Sequence, residues 1–374
     1  MKKTFIITLI SIIFISCVGV EKVNIIKNVS LPQVIQNKKA FEQHFNLSNI
    51  VVLETNESSL IQSLNRIIVH NEKIILLNNH MEVLVFDIKT GNFLSKIKRV
   101  GNGLGEYSKI IDIAFDNNSN QIIIYSDNGK VLFFNIDCNY IKDFKIGNEL
   151  FESLVFKDGF LYFYNPLSTS RDLLIHIFDI NKMEWTQQIG IKDVNFNVKL
   201  NGVPIVKSKS IWFANPLENY LSKVGENKII YPYRINVNNF ADKDKMIELQ
   251  KNQQEFFKEI NQNNIVYAFT SIKETSNFLY LKSNLHSLIW INKKTNKVEW
   301  INNIDDTRFG FANLKYFSHD CNDDKVLFLF EPYNLNDKKT TINKLLQGMN
   351  QKKSVKFSDF KEDANPILLF YSEK

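Results

Sequence analysis

Four stretches of this chain can be laid over one another. They are Val83-Leu84-Val85-Phe86-Asp87, Val131-Leu132-Phe133-Phe134-Asn135, Ile175-His176-Ile177-Phe178-Asp179 and Ser287-Leu288-Ile289-Trp290-Ile291-Asn292. Each is an apolar strand that runs into a polar residue suited to a turn. Asp87, Asn135 and Asp179 are 48 and 44 residues apart. Around each lie further short apolar runs broken by Asn, Asp, Gly and Lys, so that the repeating unit is four strands in a meander. A four-strand unit of that period is the blade of a β-propeller.

The sequence predicts six such blades in an all-β fold. Blade one covers residues 66–97, blade two 110–146, blade three 154–189, blade four 204–235 and blade five 265–301. Blade six has two strands in 314–330 and a last one at 367–371. It is one strand short, and an isolated strand at 50–54 is one too many. Pairing the two closes the ring, which removes the open edge a propeller must avoid. Residues 241–262 interrupt the pattern with Met246, Ile247, Leu249, Phe256, Phe257 and Ile260 at helical spacing, which predicts an inserted amphipathic helix with Asp242 as N-cap. A second short helix is expected over 337–350. With 374 residues, 30 Phe and 13 Tyr against only 13 Gly and 7 Pro, the chain suits strands and several small cores rather than one.

The N-terminus reads as an address. Lys2 and Lys3 precede an apolar run over residues 5–15 that is too short to span a bilayer comfortably. It ends at Phe14-Ile15-Ser16-Cys17, which resembles a bacterial lipobox with Phe14 where leucine is usual. Residues 1–16 are therefore expected as a lipoprotein signal peptide, Cys17 as the lipidated residue, 17–45 as a tether and 46–374 as the propeller. Loss of Lys2 and Lys3 lowers the net charge from +6 to +4, a small and dispersed excess that gives no reason to expect nucleic acid. Cys138 and Cys321 show no C-x-x-C spacing and are expected as buried free thiols.

The link between blades one and two is Gly101-Asn102-Gly103-Leu104-Gly105-Glu106-Tyr107. It is similar to the G-x-G-P-G-E-[FY] loop of the six-bladed β-propeller lipoproteins of Bacteroidetes, with Leu104 in place of proline. Val52-Leu53-Glu54-Thr55, the helical insert and Glu362-Asp363-Ala364-Asn365-Pro366-Ile367-Leu368 fit the same family. The resemblance implies a lipid-anchored envelope protein and no defined activity.

In a propeller the links from each outermost strand to the next innermost one cross a single face. Here they are 55–63, 98–109, 147–150, 190–203, 236–264 and 302–313. The candidate ligand-binding residues on them are Arg99, Asn102, Glu106, Tyr107, Asp305, Asp306, Arg308 and Phe309, with Gly101, Gly103 and Gly105 as a structural loop. A carboxylate, an arginine fork and aromatic faces together suit a sugar or a peptide end. A structural reading stands beside this one, since the glycines can serve only to let the chain cross between blades. A strand rather than a helix follows the glycines, which argues against a dinucleotide site. The six histidines have no metal-site spacing, Asp320-Cys321-Asn322-Asp323-Asp324 reads as a solvated turn, and no catalytic set stands out, so no cofactor or metal is expected. The expected role is a lipid-anchored binding or scaffold module for a glycan, a peptide or another envelope protein. The alternative is an envelope hydrolase or lyase working at the channel mouth. The residues after Cys17 carry one acid only, which favours the periplasmic face of the outer membrane over the cell surface.

Overall fold

The computed structural model describes residues 25–32, 38–147, 150–165, 173–191, 196, 198, 202–302, 304–320, 324–331, 342, 344, 345, 347 and 364–374. Strand β1 (Ile25–Ser30), helix α1 (Lys38–His44) and strand β2 (Phe45–Val52) precede the blades. Blade one is β3–β6 (Leu64–His70, Lys73–Asn78, Glu82–Asp87, Phe93–Ile97), and blade two is β7–β10 (Ile110–Asp116, Gln121–Ser126, Lys130–Asn135, Tyr140–Lys145). Blade three is β11–β14 (Ser153–Lys157, Phe160–Tyr164, Leu173–Asp179, Glu184–Ile191), and blade four is β15–β18 (Ile205–Lys207, Ile211–Phe213, Tyr220–Val224, Ile229–Asn236). Helices α2 (Lys243–Leu249) and α3 (Gln253–Asn263) come next. Blade five is β19–β22 (Phe269–Glu274, Phe278–Ser283, Leu288–Asn292, Val298–Ile301), and β23–β25 (Lys315–Phe317, Val326–Phe330, Ile367–Glu373) belong to blade six. The six antiparallel sheets form a six-bladed β-propeller.

The inner strands are apolar on both faces because each blade is sandwiched between two others. β4 and β8 are buried almost throughout, whereas the outer strand β10 is largely exposed. The cores accordingly lie between blades. Ile67, Leu76 and Leu84 of blade one pack with Leu327 and Phe370 of blade six, and Ile75 and Val85 on the other face pack with Ile113 and Ile124 of blade two.

Closure occurs as the strand count requires. β2 lies antiparallel against β25 from Phe45↔Glu373 to Val52↔Ile367 and supplies the fourth strand of blade six. The fully buried Asn365 locks the exit of β2. Its amide donates to the carbonyls of Glu54 and Ser59 at 2.8 Å, and its oxygen accepts from Ile61 N at 2.7 Å.

Three expectations change. Residues 25–30 lie within the segment read as a tether, yet β1 adds to β18 as a parallel fifth strand of blade four. Val29 and Leu31 are buried in the core between blades four and five, and Lys27 Nζ donates to Lys293 O of blade five at 2.9 Å. With α1 seated on blade six through Phe41, which packs on Phe45, Phe328 and Tyr371, the N-terminal segment clasps three blades. The insert is two helices rather than one: Asp242 caps α2 by accepting from Lys245 N, and Asn252 caps α3 in the same manner. Phe256, Ile260 and Met246 are buried there, but Phe257 is exposed. The helix expected over 337–350 lies mostly outside the described residues, as do Cys17 and Cys321; Cys138 is half-buried, with Ser95 Oγ 3.2 Å from its sulfur.

Under α1, His44 stacks on Trp290 at 4.7 Å and its Nε2 lies 2.8 Å from the Tyr280 hydroxyl. Burial holds its pKa down at about 4. The folded protein thus keeps this ring neutral where the unfolded chain, at about 6.5, takes up a proton. Its contribution to stability is complete above pH 6.5 and is lost as the pH falls towards 4. At pH 4.5 the expected loss is about 2 kcal/mol. Urea unfolding of the parent and of His44→Gln at pH 7 and 4.5 checks this: the variant should lose less stability on acidification by about that amount.

Candidate functional site

The inner strands converge on a channel, and a charged septum closes it. Arg66, on β3 of blade one, is 2% exposed. Its NH1 donates to Asp112 Oδ2 of blade two at 3.2 Å, and its Nε and NH2 lie 3.2 and 3.0 Å from Asp320 Oδ2 of blade six. NH2 also donates to the carbonyls of Leu154 (3.1 Å) and Ile205 (3.2 Å) in blades three and four. The two carboxylates are in turn held from other blades. Asp112 accepts from Ser153 Oγ and from Leu154 N, and Asp320 Oδ1 accepts from Lys207 N at 3.2 Å. Burial works against the Arg66 charge, but Asp112 and Asp320 more than offset it and keep the guanidinium above its ordinary range. A planar fork with five donors suits this position, because it can reach four other blades at once.

The septum leaves a blind cavity at each mouth. On the link face, a cup of about 440 Å³ has Arg66, Asp112 and Ser153 as its floor. Its wall includes Asn65, His80, Lys109, Phe151 and Glu152. The buried Asn65 Oδ1 has no hydrogen-bond partner among the described residues. On the opposite face, cavities of about 260 and 470 Å³ share Asn117, Phe156 and Lys207, and Asp320 lines the first of them.

The residues singled out from the links fall into two groups at different blade junctions. At the junction of blades one and two, Glu106 Oε2 accepts from Gly103 N at 2.8 Å and lies 2.1 Å from where a Gly101 Cβ would stand. Gly105 has φ +69°, and a Cβ there would lie 2.7 Å from the Tyr140 ring. The loop is therefore wound about its own carboxylate, and side chains at Gly101 and Gly105 would break it. Tyr107 is fully buried, with its hydroxyl 2.9 Å from Met81 O. Arg99 and Asn102 are exposed, Arg99 over the Tyr140 ring at 5.7 Å. At the junction of blades five and six, the buried Asp306 grips Arg308 through both oxygens, at 2.9 and 2.8 Å, and accepts from the Tyr371 hydroxyl at 3.1 Å. Asp305 accepts from Asn313 N, and Phe309 lies under the Arg308 guanidinium at 5.5 Å. Glu42 of α1 accepts from Thr307 N at 2.7 Å, so this link also seats the N-terminal helix. No hydrogen bond or ion pair among the described residues joins the two groups, and of the glycine link only Lys109 reaches the cup.

Over residues 26–372 the chain matches the family described as domain of unknown function DUF4934. The chain belongs to the DUF4934 family. Among solved structures this DUF4934 chain is similar to a candidate exported protein from Bacteroides fragilis, at 19% identity and TM-score 0.69, over 93% of this chain and 99% of that one. It is also similar to a member of the DUF4221 family from Bacteroides vulgatus, at 13% identity and TM-score 0.55, over 88% and 97% of the two chains. No curated protein matches the chain. At these identities the likeness concerns the fold.

Sequence reading passed over Arg66, Asp112 and Lys207. Asp320 was expected in a solvated turn, but its side chain is 11% exposed and belongs to the septum. The signal available was a charge inside an apolar inner strand, as in Ile110-Ile111-Asp112-Ile113. A charge there lies in the channel, where it must be paired. Among the described residues no group of three or more His, Cys, Asp or Glu side chains is placed to hold a metal ion.

Proposed function

We propose that this DUF4934 chain is a lipid-anchored propeller of the cell envelope, on the periplasmic side, that serves as a binding module for a glycan or a peptide. The link-face cup carries this reading. Its volume of about 440 Å³ falls within the usual range for small-molecule sites. Its floor is held by five blades and is therefore preorganised, and its wall combines the Lys109 ammonium, Glu152, the unpartnered Asn65 oxygen and the apolar Phe151. Arg99, Asn102 and Arg308 stand farther out on the same set of links and would extend the footprint for a larger partner. The lipobox-like Phe14-Ile15-Ser16-Cys17 and the likeness to a candidate exported protein support the envelope address.

A thermal-shift screen of the full chain in mild detergent against glycans and short peptides tests the binding role. A ligand at a hundred times its Kd is expected to raise the midpoint by about 3 °C. Lys109→Ala and Glu152→Gln should abolish the shift. A ligand whose shift survives both variants would place the site elsewhere. For the anchor, Cys17→Ala is expected to move the protein from the membrane to the soluble fraction.

A further inference from the structure

The face opposite the links carries a second set of polar groups around its cavities. Lys207 ends β15 and lines both cavities on this face. Its backbone N–H is engaged by Asp320, but its ammonium has no hydrogen-bond or ion-pair partner among the described residues. Asp320 is already engaged elsewhere, with Oδ2 held by Arg66 and Oδ1 by the Lys207 amide. Burial pulls the amine below the ordinary lysine range, against the opposing pull of Asp320, Asp158 and Asp116. Next to it, Ser208 is 6% exposed and its buried Oγ has no hydrogen-bond partner among the described residues. The exposed Asp158 lines the larger cavity with Ser208. A buried hydroxyl left in this condition, as Ser208 Oγ is, is unusual in a native fold and is commonly satisfied by something bound. Lys209 is not available, since it pairs with Asp324 at 3.3 Å.

We propose that this face holds a binding site for a small hydroxylated carboxylate of the sugar-acid class, with the carboxylate on Lys207 and hydroxyls on Ser208 and Asp158. Each of these groups selects part of that chemistry. The Lys207 ammonium, with Lys157 on the same cavity, suits an anion. The Ser208 hydroxyl and the Asp158 carboxylate call for a partner that both donates and accepts, as a sugar hydroxyl does. Phe115 and Phe156 give the first cavity an apolar wall on which C–H groups can rest. A plain anion makes no use of Asp158 and Ser208, and a neutral sugar makes no use of the Lys207 charge. The site lies across the septum from the link-face cup and does not depend on it.

Isothermal titration of the full chain with D-glucuronate, D-glucose and acetate tests the proposal. Glucuronate is expected to bind saturably, with glucose and acetate at least about tenfold weaker. Lys207→Gln should weaken glucuronate by about 10- to 100-fold and Ser208→Ala by several-fold. Lys109→Ala, on the opposite face, should leave it unchanged. Circular dichroism confirms that each variant is folded, and Ser208→Ala carries the test if Lys207→Gln is not. Absence of glucuronate binding at millimolar concentration, equal binding by glucose or acetate, or binding that survives both Lys207→Gln and Ser208→Ala would each overturn it. Glucuronate binding lost in Lys109→Ala but kept in Lys207→Gln would overturn it in favour of the link-face cup.

Discussion

Arg66→Met is expected to destabilise the propeller by about 3–5 kcal/mol. The methionine fills much of the same volume, so the loss comes chiefly from the carboxylates left behind. Asp112 and Asp320 are held in the channel centre at 7% and 11% side-chain exposure and would face each other with no cation between them. Two backbone carbonyls, of Leu154 and Ile205, would lose their donor at the same time. Asp112→Asn should show a comparable loss, because it removes the charge that Arg66 answers. The double variant Arg66→Met/Asp112→Asn should cost clearly less than the sum of the singles, since a pair removed together leaves fewer charges stranded. Urea unfolding of the four proteins measures all three quantities. A loss below about 1 kcal/mol for Arg66→Met would show that the septum is solvated and that the two mouths communicate.

The N-terminal clasp supports the second large effect. A chain that begins at residue 33 keeps α1 and β2, so the ring still closes, but it lacks β1. It forfeits the parallel ladder from Ile25↔Tyr231 to Ser30↔Asn236 and the Leu31 N to Asn236 O bond at 2.9 Å. It also exposes the surface covered by Val29 and Leu31, which are 3% and 6% exposed. Burial of two such side chains is worth about 3–5 kcal/mol before the cost of ordering the strand, so a net loss of about 2–3 kcal/mol is expected. The full-length double variant Val29→Ala/Leu31→Ala should reproduce most of it. A truncated chain as stable as the parent in urea, and as resistant to protease, would show that β1 only rests on blade four.

These two expectations differ in how visible their origins are in the chain. The blades were legible because each strand carries its own signal: an apolar run of about five residues, then Asn, Asp or Gly where the backbone must turn. The missing strand of blade six was legible by counting. β1 was not, because Ile-Ile-Lys-Asn-Val-Ser has only three apolar residues and its partner β18 lies some 200 positions away. The break between α2 and α3 was not legible either. No Gly or Pro marks it, and Asn252 becomes a cap only because both helices must turn Met246, Phe256 and Ile260 toward Phe196 and Tyr267.

The candidate sites show the same division. The glycine link drew attention because three glycines in five residues are rare, and its geometry explains them through the Glu106 carboxylate and the Tyr140 ring. Composition could not say that Tyr107 and Asp306 point inward. Nor could it say that Lys207, with no motif around it, stands at a channel mouth.

The sequence by itself determined the blade, its period, the number of blades and the closing strand, because these follow from local hydrogen bonding and from apolar periodicity within about fifty residues. Only the tertiary structure decided which charges meet. Arg66, Asp112, Lys207 and Asp320 come from four blades spread over more than 250 positions, and their partnership exists only once the ring has closed and water has left its centre.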